Sequence, residues 1–339
     1  MLAASRSILR IAPSFGVLLA RAVLIGMLAT AAAAAQGTAD SYPNRAVRIV
    51  VPFPAGGPTD IVARPFAQML GEALKATMVV DNRGGAGSSI GADMVAKAPP
   101  DGRTLLVGTV GTHAINPSLY ANAGYDPRKD FSGIGLIASM PVALIAHPAF
   151  PAKSVADLIS LAKRDPGKLN MGTSAIGTGG YLCAELFKST AGAELQIVPY
   201  KGTAPLMNDL VGGHIPVAFG VLPPAISNIE AGNLRAIAVT SLTRFSLLPD
   251  VPTVAESGIP GFEAVLHYGL LAPKGTPAPV INRLNAALRA LVSTDEVKQR
   301  IAAEGGDPLI SSPAEYDADI DREATKWAGV ISRLGLKIE

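Results

Sequence analysis

The chain has little of what catalysis, metal binding or nucleic-acid binding requires. Cys183 is the only cysteine in 339 residues, so no internal disulfide forms and no pair of thiolates can hold a metal. It lies in the apolar helical pattern "YLCAELF", which suits a small core residue better than a nucleophile. The histidines, His113, His147, His214 and His267, are scattered, and no two make an H-x-x-x-H pair; no metal is expected. Carboxylates are sparse, and no two are spaced for acid–base work. The stretch "GTSAIG" reads G-x-S-x-x-G, not the G-x-S-x-G of a nucleophile elbow. No catalytic residue is assigned, and a secreted α/β hydrolase stands only as the alternative. Basic charge is not in excess: Arg6, Arg10 and Arg21 fall in the first 35 residues, which leaves 26 basic against 27 acidic residues beyond them. Such a surface has no field to draw nucleic acid or anionic lipid. The apolar run "AVLIGMLATAAAAA" is about 14 residues, short of the roughly 20 that span a bilayer.

Arginines ahead of that run, and Ala33-Ala34-Ala35 before Gln36 at its end, make residues 1–35 a secretory signal cut near Ala35. No cysteine follows closely, which argues against a lipid anchor. The rest is long enough for two lobes of ordinary size or one large α/β domain.

What is present is an alternation. "AVRIVVPF" leads to "TDIVARPFAQMLGEAL", "TMVVDN" to "SIGADMVAKA", and "TLLVGT" to "HAINPSLY". The pattern resumes with "LNMGTS", "GGYLCAELFKSTAG", "QIVPY", "TAPLMNDLVGG" and "IPVAFG". Short β-branched runs bounded by Gly or Pro suit strands buried on both faces, and their alternation with helices makes the class α/β. The C-terminal part reads as two long helical runs with no strand between them, "PAPVINRLNAALRALVSTDEVKQRIAAEG" and "PAEYDADIDREATKWAGVISRLG". No fixed repeat and no low-complexity linker divides the chain, so any passage between lobes is short and ordered.

Four strand-to-helix turns share one design: Ala55-Gly56-Gly57-Pro58-Thr59-Asp60, Arg83 to Ser89, Gly108 to His113, and Ser174 to Gly180. Glycines, among them Gly57, permit a turn with positive φ and close approach of a ligand. The first turn of the following helix offers free N–H groups, and Ser and Thr add hydroxyls. No Lys follows the glycines, so this is no phosphate loop of an NTPase. "GAGSSIG" spaces its glycines G-x-G-x-x-x-G, and no acidic residue ends a strand some 20 residues on, so the dinucleotide reading is set aside. Glycines at such junctions are also ordinary turn chemistry, and Thr59 or Asp60 could serve only as caps. Gly- and Ser/Thr-rich turns in separate parts of one chain favour a cleft at the carboxyl ends of the strands, able to hold an anion.

The stretches "YPNRAVRIVVPFPAGGPTDIVAR", "VDNRGGAGSSIGADMVAKAPPDGRTLL", "VPYKGTAPLMNDLVGGHIPVAF", "IEAGNLRAIAVTS" and "LPDVPTVAESGIPGFE" resemble the Bug family, the periplasmic substrate-binding proteins of tripartite tricarboxylate transporters. The resemblance runs from about Tyr42 to about Pro313. It implies a two-lobed Venus-flytrap fold of class α/β, with residues 42–145 and 266–339 in lobe 1 and residues 146–265 in lobe 2. It implies a small carboxylate between the lobes, a di- or tricarboxylate or an aromatic acid, pinned by two facing turns. The expected ligand-binding residues are Phe53, Ala55, Gly56, Gly57, Thr59 and Asp60 in lobe 1, with Thr109, Thr112 and His113 near them. From lobe 2 come Ser174, Gly177, Thr178, Gly179 and Gly180. Two positions depart from the family: Gly220 stands where members often carry an acidic residue, and His267 where many carry Trp. Both would face the far end of the ligand and disfavour an ammonium group. The expected partners are that carboxylate and the permease subunits of the transporter, or a sensor protein. The receptor would be a periplasmic monomer, with no cofactor and no nucleic acid.

Overall fold

The β-branched runs set the sheet. β1 (Val47–Val51), α1 (Pro58–Leu74), β2 (Met78–Asn82), α2 (Ser89–Ala96) and β3 (Thr104–Thr109) form successive βαβ units. β1 pairs in parallel with both β2 and β3. β4 (Phe131–Ala146) and α3 (Val155–Arg164) follow. A second set then repeats the plan: β5 (Asn170–Thr173), α4 (Gly179–Ala191), β6 (Gln196–Pro199), α5 (Thr203–Val211) and β7 (Val217–Val221). β5 pairs in parallel with β6 and β7. The chain continues through α6 (Pro223–Glu230), β8 (Arg235–Val239) and β9 (Val265–Pro273), and ends in α7 (Ala278–Val292), α8 (Asp295–Ala303), β10 (Asp307–Pro308) and α9 (Pro313–Leu334). This computed structural model describes residues 42–303 and 305–338. The expected export signal, residues 1–35, lies outside the described residues.

The strands join in the order β2-β1-β3-β9-β4-β7-β5-β6, with β8 and β10 also on β4. β3 and β4 are buried along almost their whole length, as strands covered on both faces should be. β2, at the end of the order, is half-exposed and leaves Val79 facing solvent.

β4 joins two halves. Its residues up to Pro141 pair antiparallel with β9, and from Val142 it pairs with β7. β8 lies along the same stretch as β7, from Ala143 to Ala146. Pro141, which has no N–H to give a ladder, stands at this change of partner. Each half has its own core. Val50, Leu106, Leu136, Leu271 and Ile320 pack in the first; Ile145, Leu206, Leu210, Ala218 and Leu234 pack in the second.

The C-terminal helices differ from the reading as two uninterrupted runs. The first run breaks between Val292 and Asp295, because the hydroxyls of Ser293 and Thr294 donate to the Arg289 and Leu291 carbonyls. Two residues, Asp307 and Pro308, then add a short strand against Ser139 and Ala138 of β4. α9 begins with a capping box between Ser312 and Glu315 and ends at Gly335 in the left-handed conformation. Its buried residues Tyr316, Ile320, Glu323, Trp327 and Val330 recur at helical spacing and face the sheet.

Tyr316 fills a slot made by two glycines paired across β3 and β9, Gly108 and Gly269. A Cβ at Gly108 would lie 2.8 Å from the Tyr316 hydroxyl, and one at Gly269 would run into the ring itself. Gly269→Ala should therefore cost about 1–3 kcal/mol, the usual penalty for overpacking a core. Urea unfolding of the variant measures it; wild-type stability would show that the ring has room to move.

Candidate functional site

The first turn is fastened by a buried carboxylate. Gly56 takes positive φ, +76°, whereas Gly57 is extended at φ −79°. The positive φ expected at Gly57 thus falls one residue earlier. Asp60 accepts from the Gly56 N–H at 2.8 Å, from Arg64 Nε at 2.9 Å and from Asn82 Nδ2 at 2.9 Å. Asn82 also donates to the Phe53 carbonyl. Burial pushes the Asp60 carboxyl up, but the bonds from Arg64, Gly56 and Asn82 outweigh it and hold it below the usual range. Asp60 is thus spent on shaping the turn. Ala55 is exposed and Phe53 half-buried, while Thr59 is buried.

The second and third turns converge. Gly85, Ala86, Gly87 and Ser88 all take positive φ, Ser88 at +94°, a strained value for a residue with a side chain. Asn116 holds this strain in place, since its Nδ2 donates to the Gly87 carbonyl and to Ser88 Oγ. The Thr112 hydroxyl accepts from the Thr109 N–H and donates to the Thr109 carbonyl, both at 2.7 Å. Thr109 Oγ1 is buried and makes no hydrogen bond. A Cβ at Gly111 would lie 3.4 Å from Thr109 Oγ1 and 3.9 Å from Ser88 Oγ.

The fourth turn belongs to the other half, and it reaches the same place. That Cβ at Gly111 would also lie 3.8 Å from the Gly177 carbonyl oxygen. Gly177, at φ +84°, packs against Leu119 and the Tyr120 hydroxyl; Gly179 packs against Leu266 and Val110. Within the turn, Thr178 Oγ1 lies 2.7 Å from Ser174 Oγ and donates to the Ala175 carbonyl. Thr178 also caps α4 by accepting from the Tyr181 N–H. A Cβ at Gly180 would fit tightly, 3.3 Å from Ser174 Oγ and 3.4 Å from the Phe219 carbonyl oxygen. Thr173, at the end of β5, is fully buried and its hydroxyl makes no hydrogen bond. Turns from both halves thus meet at neutral groups, the Gly177 carbonyl among them, with one unpaired hydroxyl at the end of β3 and one at the end of β5.

The two expected histidines go elsewhere. Successive residues of a strand face opposite ways, so Leu266 and Tyr268 face the turns while His267 faces α9. His267 Nδ1 lies 2.9 Å from Asp319 Oδ2, and Arg322 closes on the other Asp319 oxygen. His113 is fully buried, its ring edge-on to Tyr316 with centroids 5.8 Å apart. Gly220 is buried in β7 opposite Ala143. Ser88 lay in one of the four turns but not among the expected ligand-binding residues, and Asn116 and Tyr120, which join it here, were not anticipated. Among the described residues, no group of three His, Cys, Asp or Glu side chains could hold a metal ion. No described helix is long and apolar enough to cross a membrane.

Residues 62–336 match the tripartite tricarboxylate transporter family receptor. The chain belongs to this receptor family. It is similar to BugT of Bordetella pertussis, 36% identical over 94% of this chain and 98% of that one. It is also similar to a protein of Agrobacterium vitis encoded between ttuE and ttuC', 40% identical over 87% and 86%. A solved R. palustris protein with adipate is 39% identical, with a TM-score of 0.81 over 88% of this chain and 100% of that one. MatC of Rhodopseudomonas palustris, solved with malate, is 33% identical, with a TM-score of 0.77 over 86% and 100%. The periplasmic binding protein BugD is 39% identical, with a TM-score of 0.78. The receptor therefore has the two-lobed α/β fold and the role of this family, solute binding for transport, and nothing supports a hydrolase.

His113 gives the receptor a pH dependence. Burial lowers its pKa from the ordinary 6.5 to about 3, against a smaller opposing pull from Asp319. The unfolded chain binds a proton below pH 6.5 and the folded one does not, so stability falls as pH drops from about 6.5 toward about 3. His113→Phe should remove about 2 kcal/mol of the stability lost between pH 7 and pH 5. Urea unfolding at the two pH values tests it; an unchanged difference would show that His113 is protonated in the fold.

Proposed function

We propose that the receptor closes its two lobes on one small carboxylate, a di- or tricarboxylate or an aromatic acid. It then presents the liganded form to the permease subunits of its transporter. The observation that carries this reading is the meeting of Thr109, Ser88 and Gly111 with Gly177 of the opposite half. With those turns in contact, a ligand enters only by the lobes parting. A carboxylate can be stabilised there by N–H and hydroxyl donors without a cation, since charge-assisted hydrogen bonds are the strong ones. The relatives solved with adipate and malate support the same ligand class. Change of strand partner supports a lobe boundary between Pro141 and Val142 in β4. Export follows from the arginines and apolar run of residues 1–35; the exported protein should begin near Gln36 on N-terminal sequencing, and a start at Met1 would contradict it.

Amino acids should bind less well than adipate or malate. The only carboxylate in the four turns, Asp60, is already held by Arg64, Asn82 and Gly56. An ammonium group would therefore lack a partner. Thr109→Val separates ligand binding from folding. It removes a buried hydroxyl that has no partner, so stability should hold or rise. Affinity for the bound acid should nonetheless fall about tenfold, the worth of one lost hydrogen bond. Calorimetry and thermal unfolding together test this. Unchanged affinity, or preferential binding of amino acids, would contradict the reading.

A further inference from the structure

β8 and β9 run along the same side of β4 as one interrupted strand. β8 pairs with Ala146 to Ala143, and β9 takes up the pairing at Pro141. Between Val239 and Val265 the chain leaves β4, and Val142 falls opposite the gap. β4 and this broken strand are the two passages between the halves among the described residues. Thr240 sits at the gap and is fully buried.

The hydrogen bonds at this point are not those of a ladder. The Thr240 N–H donates to the Val142 carbonyl at 3.0 Å, as an antiparallel neighbour would. The Thr240 carbonyl instead accepts from the Ala264 N–H at 3.0 Å. That would leave the Val142 N–H unpaired; it donates to Thr240 Oγ1 at 2.9 Å. The hydroxyl has one proton and two carbonyls in reach, Ala264 at 2.6 Å and Val142 at 2.9 Å. The Val142 carbonyl already accepts the Thr240 N–H, so the proton goes to Ala264.

We propose that Thr240 is the hinge pin of the receptor: its hydroxyl ties both passages at one point, so that the lobes turn about that point instead of sliding. The inference rests on the two-lobed reading of the fold and not on which acid is bound. Thr240 is a positioning residue and touches no ligand. A pin of this kind gives the moving halves a fixed geometry, while the few residues around it absorb the change in dihedral angles. Valine keeps the shape of Thr240 but leaves the Val142 N–H and the Ala264 carbonyl without partners. Serine keeps the hydroxyl.

The test needs no ligand. Spin labels on cysteines introduced at exposed Lys298 and Ser189, one in each half, report the distance between lobes; native Cys183 is buried. Thr240→Val should broaden the distance distribution and Thr240→Ser should leave it as in wild type. A wild-type distribution in the valine variant, or equal broadening in both, overturns the proposal. If the valine variant does not fold, amide exchange in the wild type decides. One pin releases both passages together, so the Val142 and Ala264 amides should show one common protection factor, and clearly different protection factors overturn the proposal.

Discussion

One strand, β4, is shared by both halves of the receptor, and the rest of the architecture answers to that constraint. Its ladder must change partner midway, at Pro141 and Val142. A buried backbone group left unpaired is costly, so the change demands a local repair, which Thr240 supplies. Each half packs a core of its own. In the proposed closure, the turns at the strand ends come together while each core stays intact.

The site at those turns is built from neutral groups. Glycine brings the Gly111 backbone close to the Gly177 carbonyl, and the hydroxyls of Ser88 and Thr109 stand beside it. The charged Asp60 is turned inward to hold the first turn. Buried donors with no partner of their own cost stability in the empty protein, and on the proposed reading a bound carboxylate would turn that cost into affinity. A lysine or arginine in their place would bind more anions with less discrimination; fixed dipoles on two bodies require a ligand that fits between both.

The turns were legible in the sequence because their chemistry is local. "PAGGPTD" and "GTSAIGTGG" carry glycines, hydroxyls and a helix start within a few residues, whatever the fold around them. The strand–helix alternation was legible for the same reason. What was not legible depends on register or on distant partners. His267 was placed on the ligand side, yet strand alternation in β9 gives that side to Leu266 and Tyr268 and commits His267 to Asp319 of α9. Asp60 was expected at the ligand or as a helix cap, yet Arg64, Asn82 and the Gly56 N–H take up its carboxylate. Thr240 lies in an ordinary "AVTS" run, and only the meeting of Val142 with Ala264 gives its hydroxyl a task. Ser293 and Thr294 interrupt a helical pattern that the apolar stripe alone would have continued.

The central claim is that turns from both halves hold one ligand at once. Amide chemical-shift mapping during titration with adipate or malate tests it most directly. The account predicts that the amides of Gly56, Gly57 and Gly111 in one half move together with those of Gly177, Thr178 and Gly179 in the other, on one binding curve. Shifts confined to one half, or two halves following different curves, would contradict it.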